Sequence, residues 1–259
     1  MFIPDYLGDD QWSLQSINTK HYKLKGLLKA EDCSYENILK KHYTPWVELD
    51  IGYSWQTWLD EAQRVDELGL FVPHREDYGK GWRSFVLHGS GEGETKKDDG
   101  EMFWQESALQ NCPSMVQWIK HTFARDLNLK GNFERVRIMA LDPGGYIEIH
   151  RDNEKEIHDV GPINLAINNP VGCQFIMFYP NSFDKTKLTD EDYIGKVPFA
   201  EGRAIQLDVG NYHAVRNNSK ETRYHIIVHG NFWPDEKTKS LYDSSMRNTI
   251  GNIKTYARV

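Results

Sequence analysis

From residue 133 to residue 230 apolar and polar positions alternate along the chain. The segments FERVRIMAL (133–141), YIEIH (146–150), PINLAI (162–167), CQFIMFY (173–179), RAIQLDV (203–209) and TRYHIIVHG (222–230) are short and rich in β-branched and aromatic residues, and Gly, Asn, Asp or Pro separates them. Side chains two apart on a strand share a face, so this pattern predicts a meandering antiparallel β-domain. The polar run NSFDKTKLTDEDYIGKVPFAEG (181–202) breaks the alternation and reads as an irregular insert between two strands. Upstream the period is longer. SYENILKKHY (34–43) and SWQTWLDEAQRVDELGLF (54–71) carry apolar residues at helical spacing, with Ser54 placed to cap the second. CPSMVQWIKHTFARDL (112–127) has Pro113 at an early helical turn and Met115, Trp118, Ile119 and Phe123 along one stripe. The Gly- and charge-rich stretch 88–100 has no following Gly-Lys-Ser/Thr and predicts an exposed loop rather than a phosphate cradle. A helical and mixed part (1–130), a β-core (131–232) and a tail (233–259) with one helix are therefore expected within a single domain.

Composition narrows the class. With 39% hydrophobic and 27% charged residues among 259, the chain has the balance of a folded protein. No apolar run approaches the ~20 residues that span a bilayer, and the first residues lack the basic-then-apolar order of a secretory signal, so a cytoplasmic, membrane-free protein is expected. Cys33, Cys112 and Cys173 are too scattered for a disulfide framework or a metal knuckle. A formal net charge of −7 gives no electrostatic reason to expect a nucleic-acid partner.

The candidate chemistry lies in GGYIEIHRDNE (144–154). His150 and Asp152 stand two apart at a strand end and so face the same way, presenting an imidazole and a carboxylate together. His213, in DVGNYHAVRN, is a third candidate ligand. Two histidines and one carboxylate on one face of a metal are the ligand set of non-haem Fe(II) oxygenases; a histidine merely satisfied at a sheet edge is the alternative for His213. Arg223 begins the run RYHIIVHG among apolar neighbours, and its planar fork suits a carboxylate, here the distal carboxylate of 2-oxoglutarate. An ion pair with Glu221 or Asp208 is the competing reading.

Together CPSMVQWIK, FERVRIMALDPGGYIEIHRDNE, GPINLAINNPVGCQF and EGRAIQLDVGNYHAVRNNSKETRYHIIVHG, within residues 104–232, resemble the aspartyl/asparaginyl β-hydroxylase branch of the 2-oxoglutarate/Fe(II) dioxygenases, which includes cis-proline hydroxylases. The resemblance implies a mainly β fold with flanking helices, a double-stranded β-helix or jelly roll of cupin type. It also implies His150, Asp152 and His213 as iron ligands and Arg223 as the 2-oxoglutarate partner. Asn164 stands where relatives place a polar residue near the co-substrate, commonly histidine, and His225 shares the parity of Arg223. Implied too are Fe(II), 2-oxoglutarate and dioxygen, an amino acid or an aspartyl/asparaginyl peptide as substrate, and succinate and carbon dioxide as by-products. Trp82 and Arg83 in GWRSFVLHG resemble the family's Trp-containing strand before the core, which implies that both line the pocket mouth, plain packing being the alternative for Trp82. A regular strand would put Tyr146 and Glu148 on the face of His150, and Ile147 and Ile149 on the other. His158 is expected to be exposed.

Three rivals remain at this level. A cupin-type metal protein that uses no 2-oxoglutarate would share the ligands. A nucleic-acid demethylase would need two closely spaced arginines after the distal histidine, which Arg216 and Arg223 do not reproduce. An interaction domain with a decayed site would not keep every ligand.

Overall fold

The computed structural model describes residues 46–77, 79–91, 101–128, 133–152, 161–178, 193–207, 209–210, 212–230, 241 and 244–245. The expected 34–43 helix, residues 92–100 of the loop, most of the insert and tail, His158, Asp208 and Cys33 lie outside the described residues. In chain order the elements are β1 (Trp46–Leu49), α1 (Trp55–Glu67), β2 (Val72–Pro73), β3 (Gly79–Gly89), β4 (Phe103–Trp104), α2 (Glu106–Asn111), α3 (Pro113–Trp118), a π-helical turn (Ile119–Phe123) and α4 (Ala124–Asp126). They continue as β5 (Phe133–His150), β6 (Ile163–Ala166), β7 (Cys173–Phe178), β8 (Tyr193–Lys196), β9 (Ala204–Leu207), β10 (His213–Asn217) and β11 (Arg223–Gly230).

Every strand pair is antiparallel, and β5 belongs to two sheets. Its first half pairs with β11, Leu141 opposite Arg223 and Val136 opposite Val228. Its second half pairs with β10, Tyr146 opposite Arg216 and His150 opposite His213. One sheet runs β5–β11–β6–β9–β1 and the other β5–β10–β7–β8, with β3 alongside β5 over both halves. First strand against last, each successive pair nested inside, is the connectivity of a jelly roll, here a double-stranded β-helix. The sequence pattern divides 133–141 from 146–150, whereas the structure joins them as one 18-residue strand bent at the corner.

Glycine makes that corner. Gly144 has φ +72°, a conformation that costs an L side chain a steric penalty. A Cβ on Gly145 would lie 2.7 Å from the Asp142 carbonyl oxygen and 2.9 Å from that of Lys80, so the crossing of β3 over the corner has room for hydrogen only.

Two apolar layers flank the first sheet. On its outer face Ile138, Ala140, Leu165, Tyr224, Ile226 and Val228 pack against helical residues including Trp58, Val65, Met115, Ile119 and Phe123. Helix α1 contributes Trp58, Glu61, Ala62 and Val65, one stripe at helical spacing. Buried Glu61 accepts hydrogen bonds from the backbone N–H of Ser114 (2.8 Å) and Met115 (3.1 Å), satisfying donors that the start of α3 leaves open. Between the sheets lie Leu141, Ile147, Ala166, Phe175, Met177, Phe199, Ile205, Leu207 and Val215, which form the barrel interior.

Several local expectations change. The helix read over 54–71 ends at Glu67, and the 112–127 stretch is broken into α3, the π-turn and α4. The 181–202 segment is not wholly irregular: Tyr193–Lys196 forms β8 and pairs with β7. Its polar composition suits an edge strand, which has a partner on one side only. The part expected to be largely helical also contributes β1 to β4.

Gly145→Ala is expected to lower unfolding free energy by about 1–3 kcal/mol in urea titrations, because backbone must move to admit the methyl group. Gly52→Ala, where nothing lies within 4 Å of the added carbon, should stay within about 0.5 kcal/mol of the parent.

Candidate metal centre

The pairing of β5 with β10 sets His150 directly across from His213, with ring centroids 4.3 Å apart. One potential ligand atom each from His150, Asp152 and His213 falls in a group whose members all lie within 4.8 Å of one another. Asp152 is held just past the strand by its own N–H, which donates to the Val209 carbonyl at 3.1 Å. The imidazole of His213 is buried and stacks on Phe175 of β7 at 5.5 Å and 9°.

A bulge orients His150. From Ile147 to His150 β5 advances three residues while β10 advances two, from Val215 to His213. The extra residue reverses the side-chain parity and re-aims the side chains beyond it. Ile147 therefore faces the interior with Val215 and Phe175, and Tyr146, opposite Arg216, faces away, contrary to what a regular strand implies. Glu148 contributes its backbone: the His150 Nδ1–H donates to its carbonyl at 2.7 Å, leaving Nε2 turned toward Asp152 Oδ1 at 3.5 Å. Anchoring one ring nitrogen on a carbonyl fixes the tautomer that leaves the other free to bind a metal.

The trio opens outward, the Asp152 side chain being 38% exposed. Partial burial would raise its carboxyl, but the His150 hydrogen bond and the charges of His213, His150 and Arg75 outweigh this and hold it well below the usual carboxylate range. An ionised carboxylate beside two imidazoles is a donor set for a divalent first-row metal.

Arg223 is 1% exposed at the head of β11, facing the same interior. Its Nε donates to Asn169 Oδ1 (3.2 Å), Nη1 donates to His225 Nδ1 (3.2 Å), and the guanidinium lies 4.8 Å from the Phe199 ring centre. Its Nη2 is buried without a hydrogen-bond partner. Among the described residues no carboxylate pairs with it, and Glu221, the rival partner, is exposed. Burial lowers the guanidinium to about 10, opposed by the Cys173 thiol, and burial followed by the Arg223 charge keeps His225 neutral. A buried donor with nothing to donate to is costly unless an anion completes it.

Two rings connect the halves of the site. Phe175 stacks on His213 and packs 5.5 Å from Phe199, and Phe199 lies beneath Arg223. Sequence reasoning missed both phenylalanines: Phe175 is one of several apolar residues in a strand that look the same whether they fill a core or wall a cavity, and Phe199 lies in the segment read as an irregular insert. Asn164 is buried on β6, opposite Ile227 and next along from the Ala166–His225 pair. Trp82 faces the barrel interior and its ring meets His74 edge-on at 4.4 Å. Arg83 points the other way, to Asp66 of α1 and Asp142 of the corner, and is structural.

With this geometry in hand, the family model described as aspartyl/asparaginyl beta-hydroxylase matches residues 53–232, more than half the chain. The chain belongs to the aspartyl/asparaginyl β-hydroxylase family. Membership makes it an Fe(II)- and 2-oxoglutarate-dependent dioxygenase, and the donor trio and the incomplete Arg223 fit those two groups. No curated protein matches this family member. Similar solved structures include a prolyl-4-hydroxylase from Pseudomonas putida, at 17% identity and TM-score 0.45 over 76% of this chain and 98% of that one. Another is a prolyl hydroxylase from Trichoplax adhaerens in complex with a hypoxia-inducible-factor peptide, at 15% and 0.48 over 86% and 98%. A 2OG-Fe(II) oxygenase-family oxidoreductase from Burkholderia pseudomallei matches at 12% and 0.47 over 82% and 94%. No helix among the described residues of the hydroxylase is long and apolar enough to cross a membrane.

Burial, then the charges of Arg137, Arg75 and Arg135, lowers the buried His74 beside Trp82 to about 3. The unfolded chain takes up this proton near pH ~6.5 and the folded protein does not, so the metal-free protein loses stability as pH falls from ~6.5 toward 3. His74→Gln should reduce the slope of unfolding free energy against pH, between pH 6 and 4, by up to about 1.4 kcal/mol per unit. An unchanged slope in denaturant titrations removes this assignment.

Proposed function

We propose that His150, Asp152 and His213 hold Fe(II), that Arg223 binds the distal carboxylate of 2-oxoglutarate, and that His225 and Asn164 line the co-substrate. The protein then hydroxylates an unactivated C–H bond of an amino acid, or of an aspartyl or asparaginyl residue in a peptide. The observation carrying this reading is one barrel interior containing both a two-imidazole, one-carboxylate trio within 4.8 Å and a buried guanidinium with an unsatisfied Nη2. A metal protein that uses no oxo-acid would leave that guanidinium without a purpose.

Iron and 2-oxoglutarate supply the oxidising chemistry: dioxygen gives one oxygen atom to the C–H bond and one to the oxo-acid, which leaves as succinate and carbon dioxide. The chain's own residues position and protect. Arg223 offers Nη2 to the distal carboxylate, while Nε and Nη1 stay engaged with Asn169 and His225 and fix the fork's plane. Neutral His225 accepts from Arg223 without adding a second buried charge. Phe175 and Phe199 wall the passage between guanidinium and histidines with apolar surface, excluding water that would compete for the ion. Asp152, at the exposed rim, supplies the negative charge.

Purified protein with Fe(II) and 2-oxoglutarate should release succinate, slowly alone and faster with a suitable amino acid or peptide. Asp152→Ala should weaken metal retention by on the order of 100-fold. Arg223→Ala should weaken 2-oxoglutarate binding by about 30- to 1,000-fold while leaving metal binding intact. Well-folded protein with no metal-dependent succinate release contradicts the proposal, as does an Arg223→Ala variant with parental 2-oxoglutarate affinity.

A further inference from the structure

The interior face of β11 reads Arg223, His225, Ile227, His229, since Tyr224, Ile226 and Val228 belong to the outer layer. The first two residues serve the co-substrate end. His229 stands at the opposite end, and the charge of Asp152 reaches it.

A second bulge shapes this end. Val136 pairs with Val228 and Phe133 with Gly230, so β5 spends three residues where β11 spends two, and Arg135 lies in the bulge opposite His229. Arg137 faces inward between Ile227 of β11 and Val86 of β3 and is 6% exposed. From the turn after β2 comes His74, whose N–H donates to the Trp82 carbonyl at 2.8 Å and whose Nδ1 lies 3.4 Å from the Ser84 hydroxyl. Arg75 comes next, at an exposed turn, with φ +49°, a left-handed conformation uncommon for a residue other than glycine. The charges of Arg75, Arg135 and Arg137 act together on both His74 and His229, and so does the Asp152 carboxylate. Burial first, and these arginines next, hold both imidazoles neutral, at about 3. The ladder sets Arg137 against Ile227 and Arg135 beside His229, and Arg75 lies next to Gly79, which pairs with Ile147 three residues before His150; the guanidinium groups thus collect on the side of the metal trio, away from Arg223 at the head of β11.

We propose that Arg75, Arg135 and Arg137 form the substrate subsite of this active site, and that it selects a substrate of net negative charge, carrying a second carboxylate or a phosphate, over a neutral zwitterion or an amide. Guanidinium forks match carboxylate and phosphate oxygens two at a time, and a positive field at the rim steers an anion toward the metal. His74 and His229 provide hydrogen bonds there without charge. Arg135 and Arg137 share a face by ordinary strand alternation, opposite to that of Val136 and Ile138, and the bulge leaves Arg135 outside the regular ladder.

This rests on reading His150, Asp152 and His213 as the metal centre, so the test measures that first. The full chain, loaded with Mn(II) in place of Fe(II), is titrated with 2-oxoglutarate in a calorimeter. Failure to bind brings down the metal-centre reading and this inference together. With 2-oxoglutarate saturating, matched probes are then compared: L-aspartate against L-asparagine, L-glutamate against L-glutamine, and O-phospho-L-serine against L-serine. At least one acid should bind about tenfold or more tighter than its uncharged partner. Arg75→Gln, at an exposed turn, and Arg135→Gln, at the bulge, should each cut that preference at least about threefold with 2-oxoglutarate affinity unchanged. Absence of any acid preference in the parent, including failure of every probe to bind, overturns the subsite alone, and so does a preference that survives in both variants. Separate arms for carboxylate and phosphate show which anion the cluster takes.

Discussion

The register that sets His150 opposite His213 is the constraint on which the rest of the molecule depends. Antiparallel partners on neighbouring strands are held a few ångströms apart by the backbone ladder, so two imidazoles converge without help from any flexible loop. Everything nearby serves that register. Gly144 and Gly145 let β5 leave one sheet and enter the other, and the bulge before His150 turns the ring inward and frees the Glu148 carbonyl to fix its tautomer. The Val209 carbonyl accepts from the Asp152 N–H and so holds the backbone of that carboxylate just beyond the strand end.

A second principle is the separation of charge along β11. At its head a buried guanidinium is engaged through Nε and Nη1 but not Nη2; at its tail His229 meets a field dominated by arginines. Phe175 and Phe199 lie between His213 and Arg223, so the path from the guanidinium to the imidazoles is lined by apolar rings. The helices take no direct part in this chemistry. Trp58, Val65 and Met115 cover the outer face of the first sheet, and Arg83 ties α1 to the corner through Asp66 and Asp142. That bracing keeps β3 against β5 where Gly145 leaves no slack.

Much of this is legible in the sequence. Period-two alternation locates both halves of β5, together with β6, β7, β9 and β11, and the His-x-Asp spacing identifies two side chains that do meet. What escapes has physical reasons. A bulge is one unpaired residue with no signature of its own, so the parity argument puts Ile147 on the wrong face. β8 hides in a polar segment because an edge strand need not be apolar. Arg135 and Arg137 alternate with Val136 and Ile138, which reads equally as a solvated strand face; only β11 and β3 on either side show that this face is interior. Arg223 stands out because it interrupts apolar neighbours, whereas Phe175 and Phe199 carry no signal that separates a cavity wall from a packed core.

The central claim is that metal trio and guanidinium grip one oxo-acid from its two ends. The measurement that tests it most directly is the coupling between metal and 2-oxoglutarate, read calorimetrically without oxygen. Saturating Mn(II) should tighten 2-oxoglutarate binding by about tenfold or more, and 2-oxoglutarate should tighten Mn(II) binding by the same factor. Affinities independent of one another would contradict the account.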